Sequence, residues 1–371
     1  MSKITILGDI ICDREMLKKA KYEDTYNFDD MFSPLKGFLS DSDYVIANLE
    51  TCISNSNYTN STFSFCTPTT LLDTLKKTGI DCVSLANNHI LDRGIDGIEE
   101  TIAELEKRNI NYFGLNDKIL KLNLKDINLS IFGYTDSTNY HINRNTFNDS
   151  SKYYVNCLKN TFIIKKRNTK SIYKRIINSE IRLRIKNIFH IKIHPVIDNY
   201  EIDKKYINKI KSYINEKDRY IIMYSHMGGQ YNIDFGTYST NMINEFKNIG
   251  CNSIVITHPH IIQNTYKYKN VFSIGGVIIS PTSKYVLWDT YPEFSGVVNY
   301  YFKENKLKKI TISFLICTKN KNTYLKVYPF YDFYQTLNIN EKKEYKKRFD
   351  TVFRRIFNYT DDVKKEYMMK V

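Results

Sequence analysis

Two carboxylates, one amide and four imidazoles in this chain share a local signature: each follows a short apolar run. Asp9 comes after residues 4–7, Glu50 after 44–47, Asn88 and His89 after 81–86, His226 after 219–224, and His258 and His260 after 253–256. Oxygen and imidazole donors without thiolate suit Mn, Zn or Fe, and this many can hold two divalent ions close together. Such a pair polarises a phosphoryl oxygen and generates a nucleophile at neutral pH. An isolated His-Pro-His carries little information, and Asn-Asn-His alone reads equally well as a helix cap beside a core imidazole. The conjunction points to a site, because four of the seven histidines fall at these exits.

The elements that must position these groups alternate. The run 81–86 reads as a buried strand. It is followed by a helical pattern with apolar Ile95, Ile98, Ile102 and Leu105, early acids Asp96, Glu99 and Glu100, and late bases Lys107 and Arg108, which suits the helix dipole at both ends. Ahead of it, residues 4–7 and 44–47 read as strands, with Gly8 as a tight exit, and 69–78 as a short helix stopped by Gly79. Behind it come strand-like runs at 111–115 and 127–134, a helix at 204–215, a strand at 219–224, a helix at 240–248, and strands at 253–256 and 271–274. Strand and helix in alternation indicate an α/β chain, whose ligands gather beyond the carboxyl ends of the strands. The tail carries strand-like runs at 309–317 and 323–328, then a helix with Tyr345, Phe349, Val352, Phe353 and Ile356 on one face.

Composition sets the outer limits. The 371 residues are 42% hydrophobic and contain no apolar run as long as a membrane span; residues 1–3 lead straight into the first strand, so a cytoplasmic protein is expected. Seven cysteines, odd in number and without a C-x-x-C pair, indicate neither a disulfide framework nor a zinc ribbon, and are expected to be reduced and mostly buried. The formal charge of +14 is concentrated between Lys152 and Lys192, where 12 Lys/Arg face the single Glu180. Interleaved with Tyr153, Tyr154, Phe162, Tyr173 and Phe189, this segment could track nucleic acid or an anionic leaflet. A charged insertion facing water is the plainer reading, and an AT-rich genome accounts for the average Lys, Asn, Ile and Tyr content. His190 and His194 lie there, away from any strand exit.

The motifs Gly8-Asp9, Asn48-Leu49-Glu50-Thr51, Leu85-Ala86-Asn87-Asn88-His89 with Asp92, Gly94 and Gly97, Gly114, His226 with Gly228 and Tyr231, His258-Pro259-His260 with Gln263, and Ser273-Ile274-Gly275 run in order from about residue 3 to 280. In this the chain resembles the CapA family of bacterial capsule and poly-γ-glutamate synthesis proteins, itself similar to the calcineurin-like metallophosphoesterases. The resemblance implies a four-layer αββα sandwich over residues 1–300, with a basic insertion at about 140–200, and with 301–371 packed on the same domain. It implies two divalent transition metals: Asp9 on one, Glu50 bridging, Asn88 and His226 on the second, His258 and His260 completing the pair, and His89 as acid or transition-state stabiliser. It further implies an anionic polymer or phosphoester substrate, and work near a membrane-associated synthesis complex at the inner face. Two positions depart from the family pattern: Gln230 stands where a glutamate is usual and Gly276 where an asparagine is usual, so polar groups are missing beside an otherwise intact ligand set. A metal-dependent hydrolase is therefore the first expectation; a non-catalytic assembly component and a nucleic-acid phosphodiesterase are its rivals.

Overall fold

The computed structural model describes residues 1–55, 64–139, 145, 204–214, 219–278, 290–319 and 325–369. The basic segment 152–192, His190, His194 and Cys157 lie outside them. Within the described residues the chain is a mixed α/β structure with two principal sheets.

The larger sheet runs in the order Leu325–Pro329, Lys306–Lys319, Phe294–Lys303, Ser2–Ile10, Tyr44–Leu49, Cys82–Ser84, Asn111–Phe113. From Ser2–Ile10 to Asn111–Phe113 neighbouring strands are parallel, while Phe294–Lys303 and the strands beyond it are antiparallel. The smaller sheet orders Val271–Ser273, Ser253–Thr257, Tyr220–His226, Ile127–Thr135 and Leu120–Leu124, parallel except for its last pair.

Period-two alternation distributes the strand residues among three apolar clusters. Val45, Ala47 and Leu49 face one way, with Leu71, Leu72 and Leu75 of the helix Thr70–Thr78 and Ile98, Ile102 and Leu105 of the helix Gly94–Lys107. Ile4, Ile6 and Ile46 face the other way and share a cluster with Leu129, Ile131, Ile222, Tyr224 and Val255 of the smaller sheet. That sheet's opposite residues, Phe132, Tyr134, Ile221, Met223, Ile254 and Ile256, meet Met242, Ile243 and Phe246 of the helix Thr237–Asn248. The sheets come close where glycines permit it: a Cβ on Gly133 would lie 2.9 Å from Gly114 Cα, and one on Gly114 2.8 Å from Ala86. Ala86 immediately precedes the Asn87-Asn88-His89 turn, so this approach sets the turn's height over both sheets.

Gly8 is not the strand exit that the sequence predicts. Ser2–Ile10 continues through it, and the following Asp9 pairs with Asn48 on one side and Gly276 of the short strand Gly276–Ile278 on the other. A Cβ at Gly8 would lie 1.9 Å from Gly275 O. Glycine thus serves here as close-approach space inside a strand.

The strand Phe294–Lys303 was not expected and runs through residue 300. The helix Ile339–Phe357, with a capping box from Asn338 and Glu341, buries Phe349, Val352, Phe353 and Ile356 in the same cluster as Ile4 and Ile6. Its buried Arg355 donates to the carbonyls of Ile262 and Thr290, both at 2.9 Å. The helix is thereby tied to the segment just beyond His260.

Candidate metal centre

All seven predicted groups come together at the carboxyl ends of parallel strands from both sheets. Asp9 lies near the end of Ser2–Ile10, Glu50 follows Tyr44–Leu49, Asn88 and His89 follow Cys82–Ser84, His226 ends Tyr220–His226, and His258 and His260 follow Ser253–Thr257. All are buried, Asp9 and Glu50 completely.

His226 is the hub. Its Nε2 lies 2.8 Å from Asn88 Oδ1, 2.9 Å from His258 Nδ1 and 3.3 Å from Glu50 Oε1. Its Nδ1 lies 3.1 Å from Thr257 Oγ1 and 3.4 Å from Asp9 Oδ1. The other oxygen of Asp9 accepts from the His258 N–H at 2.9 Å and lies 3.4 Å from His260 Nδ1. Two overlapping sets, Glu50 with His258 and His260, and Asp9 with Glu50 and His226, bring their ligand atoms within 4.8 Å of one another, and Glu50 belongs to both.

Neither Glu50 oxygen has a hydrogen-bond partner, and neither has His260 Nδ1; His226 Nε2, although 3.3 Å away, is not aligned for one. A buried carboxylate left in this state is costly, and a cation removes the cost. Two imidazole nitrogens and an amide oxygen converging at 2.8–2.9 Å are likewise the arrangement that a shared positive charge stabilises. The donor set, oxygen and imidazole without thiolate, therefore fits divalent transition ions.

The electrostatics agree. Burial disfavours the charged form of His226, but Glu50 and Asp9 more than offset it, and its pKa rises to about 10. Burial pushes Asp9 upward, yet His226 and His260 hold it well below the ordinary carboxylate range. His258, buried and facing His226 and His260, is pushed well below an ordinary imidazole. The two carboxylates thus draw positive charge toward the hub, while burial and the neighbouring imidazoles disfavour it on His258. The same loop is strained: His258 and His260 have φ of 86° and 59°, conformations that non-glycine residues keep only when their surroundings enforce them.

His89 stands slightly apart. Its Nδ1 is 2.7 Å from Asp92 Oδ2, and its Nε2 is 3.8 Å from Glu50 Oε1. The carboxylate accepts a hydrogen bond from Nδ1–H, which leaves Nε2 toward the ligand cluster. Phe65 stacks on the ring with centroids 4.3 Å apart, and its backbone N–H donates to Asp92 Oδ2 at 2.6 Å.

Several residues here escaped sequence reasoning. Asn87 turns away from the cluster, donating to Leu49 O at 2.8 Å and to Asn48 Oδ1 at 3.2 Å, while Asn48 donates to Asp9 Oδ1 at 2.8 Å. These amides stitch neighbouring strand ends together. Asn139, past the end of Ile127–Thr135, accepts from Asn88 Nδ2 at 3.1 Å and sets its own Nδ2 3.1 Å from His89 Nδ1. Polar residues after a strand were the available signal; which of them fold inward depends on the neighbouring sheet. Of the two departures from the family pattern, Gly276 pairs directly with Asp9, whereas Gln230 is exposed.

The profile of a family described as bacterial capsule synthesis protein PGA_cap matches residues 3–280. The PGA biosynthesis protein CapA of Bacillus subtilis (strain 168) is 22% identical over 314 residues, which cover 81% of this chain and 68% of that protein. The capsule biosynthesis protein CapA of Bacillus anthracis is 21% identical over 318 residues, covering 81% and 64%. The chain thus spans about two thirds of the length of these relatives.

Proposed function

We propose, on the premise that this chain belongs to the bacterial capsule synthesis protein PGA_cap family, that it is a two-metal hydrolase of calcineurin-like four-layer αββα architecture serving an anionic cell-surface polymer. The observation that carries the reading is Glu50: a fully buried carboxylate, without hydrogen bonds, common to two ligand sets. Asp9, Glu50, Asn88, His226, His258 and His260 would hold two divalent transition ions, Mn, Zn or Fe. When bound, such a pair supplies Lewis acidity toward a phosphoryl oxygen and a deprotonated water as nucleophile.

The chain's own residues supply the rest. His89, its Nδ1–H donated to Asp92 Oδ2, would act as the acid by carrying a second proton on Nε2 and passing it to the leaving oxygen. Phe65, stacked on the same ring, keeps bulk water from one of its faces. The strained His258-Pro259-His260 loop keeps its imidazoles in place before substrate arrives, so less reorganisation is left to the reaction.

The substrate class is a phosphoester, or an amide of a carboxylate polymer, handled beside a membrane-associated synthesis assembly. Among the described residues no helix is long and apolar enough to cross a membrane. A second reading, a metal-holding but non-catalytic member of that assembly, is favoured by one feature: Gly276, paired with Asp9, offers no side chain where the family usually has asparagine.

Elemental analysis of the purified protein with a phosphodiester turnover assay in added Mn2+ tests the proposal, repeated on His89→Ala. Two equivalents of metal in both proteins, with turnover only in the parent, are expected. Metal without turnover in the parent would shift the weight to the assembly reading, and absence of metal would sink both.

A further inference from the structure

We infer that Asn139 is a positioning residue that fixes which end of the Asn88 side chain faces the ions. The inference rests on the two-metal reading of the site and assigns a residue outside the ligand set to it.

An asparagine ligates a cation only through its oxygen, and its two ends are nearly equal in shape. Something must therefore select the orientation. Asn88 Oδ1 points at the hub, 2.8 Å from His226 Nε2. Its Nδ2 donates to Asn139 Oδ1 at 3.1 Å. Reversing the Asn88 amide would set two carbonyl oxygens against each other, both buried, since Asn88 and Asn139 are 4% and 6% exposed. An unsatisfied buried acceptor pair of that kind is heavily disfavoured.

Asn139 is oriented in turn. Its backbone N–H donates to Asn88 O at 2.9 Å, which holds the two backbones in register. Its own Nδ2 lies 3.3 Å from Nε2 of His89, the ring nitrogen left to accept once Nδ1–H is held by Asp92, on an imidazole that Asp92 and Phe65 fix in place. One side chain thus joins the candidate ligand to the candidate acid. It belongs to the smaller sheet's Ile127–Thr135 strand exit, while both of its partners follow a strand of the larger sheet. The arrangement of Asn88 therefore depends on how the two sheets sit together.

The test is Mn2+ binding by titration calorimetry on metal-stripped protein, in a cycle with Asn88→Asp. A carboxylate has an oxygen at either end and needs no selection. Asn139→Ala should weaken one of two equivalents by about 10–100-fold, the usual cost of removing a group that orients a ligand. In the Asn88→Asp background the same change should cost less than about threefold. Asn139→Asp, which keeps the acceptor for Asn88 Nδ2, should retain both equivalents; it also serves if Asn139→Ala does not fold. Equal losses in both backgrounds, or loss of an equivalent in Asn139→Asp, would overturn the inference. Parent protein binding two equivalents alongside an unaffected Asn139→Ala would overturn it alone, whereas parent protein binding no Mn2+ would remove the two-metal reading along with it.

Discussion

Glu50→Gln should make the metal-free protein more stable and the metal-loaded protein less so. Glu50 is 0% exposed and both of its oxygens lack hydrogen-bond partners, with compensation limited to His226 at 3.3 Å and His89 at 3.8 Å. Leaving a buried polar group unsatisfied costs about 1–3 kcal/mol, and more when it is charged. Glutamine keeps the shape and removes the charge, and Asp9 Oδ1, 3.4 Å from His226 Nδ1, stays as the counter-charge of that imidazole, so a net gain of about 2 kcal/mol is expected without metal. One kcal/mol moves Tm by about 2–4 °C in a domain of about 150–250 residues and by less in a larger one, so the metal-free Tm should rise by about 2–4 °C in all. With Mn2+ the order reverses. A single ion at about 100 times its Kd stabilises by about 2.7 kcal/mol, and Glu50 belongs to both ligand sets, so the parent gains what the variant forgoes. Thermal melts after chelation and across a Mn2+ titration give both halves. A metal-free variant that melts below its parent, or one that gains as much from Mn2+ as the parent, would refute the reasoning.

Gly8→Ala should lower Tm and weaken metal binding together, because the new Cβ would lie 1.9 Å from Gly275 O and must push the strand carrying Asp9 aside; overpacking of this kind costs about 1–3 kcal/mol, readable by calorimetry. Arg355→Leu should destabilise by about 1–3 kcal/mol, since it strips two buried carbonyls, Ile262 and Thr290, of their donor; an unchanged denaturant midpoint would contradict this. Burial raises the Glu366 carboxyl, but hydrogen bonds from Tyr301 and Thr311 and the Lys3 ammonium outweigh it and hold it below its ordinary 4.5. A depressed acid stabilises above its unfolded pKa, and that contribution is lost as pH falls through the folded one. The Tm gap between parent and Glu366→Gln should therefore be constant near neutrality and close on acidification below the ordinary value, and a gap that persists in acid would count against the pairing.

The parallel strands that bear the site were legible because each is a short apolar run ending in polar residues, as at Val83-Ser84 or Val255-Ile256-Thr257. Phe294–Lys303 was not, because Asn299 interrupts its apolar pattern. That residue is fully buried and satisfied by Thr5, Thr311 and Ser313, partners no local window contains. Gly8 was misread for a related reason: a glycine that admits another backbone looks the same in sequence as one that ends a strand. At the site, residue types located the ligand candidates. Asn87 and Asn88 are chemically identical neighbours, and only the smaller sheet, through His226 and Asn139, distinguishes the one that faces inward.

The central strand also sets a timetable for folding. Ser2–Ile10 is made before the other strands of its sheet, yet its antiparallel neighbour is Phe294–Lys303, and Thr5 bonds to Asn299 across 294 positions of sequence. Until that neighbour has emerged from the ribosome, one edge of residues 2–6 lacks its partner, while His258 and His260 join the site only after the other candidate ligands have been made. Contacts this distant slow folding and expose strand edges to misassembly. Assembly of the full set of candidate ligands would accordingly come late in folding, and the nascent chain is the stage at which chaperone protection of this protein would matter most.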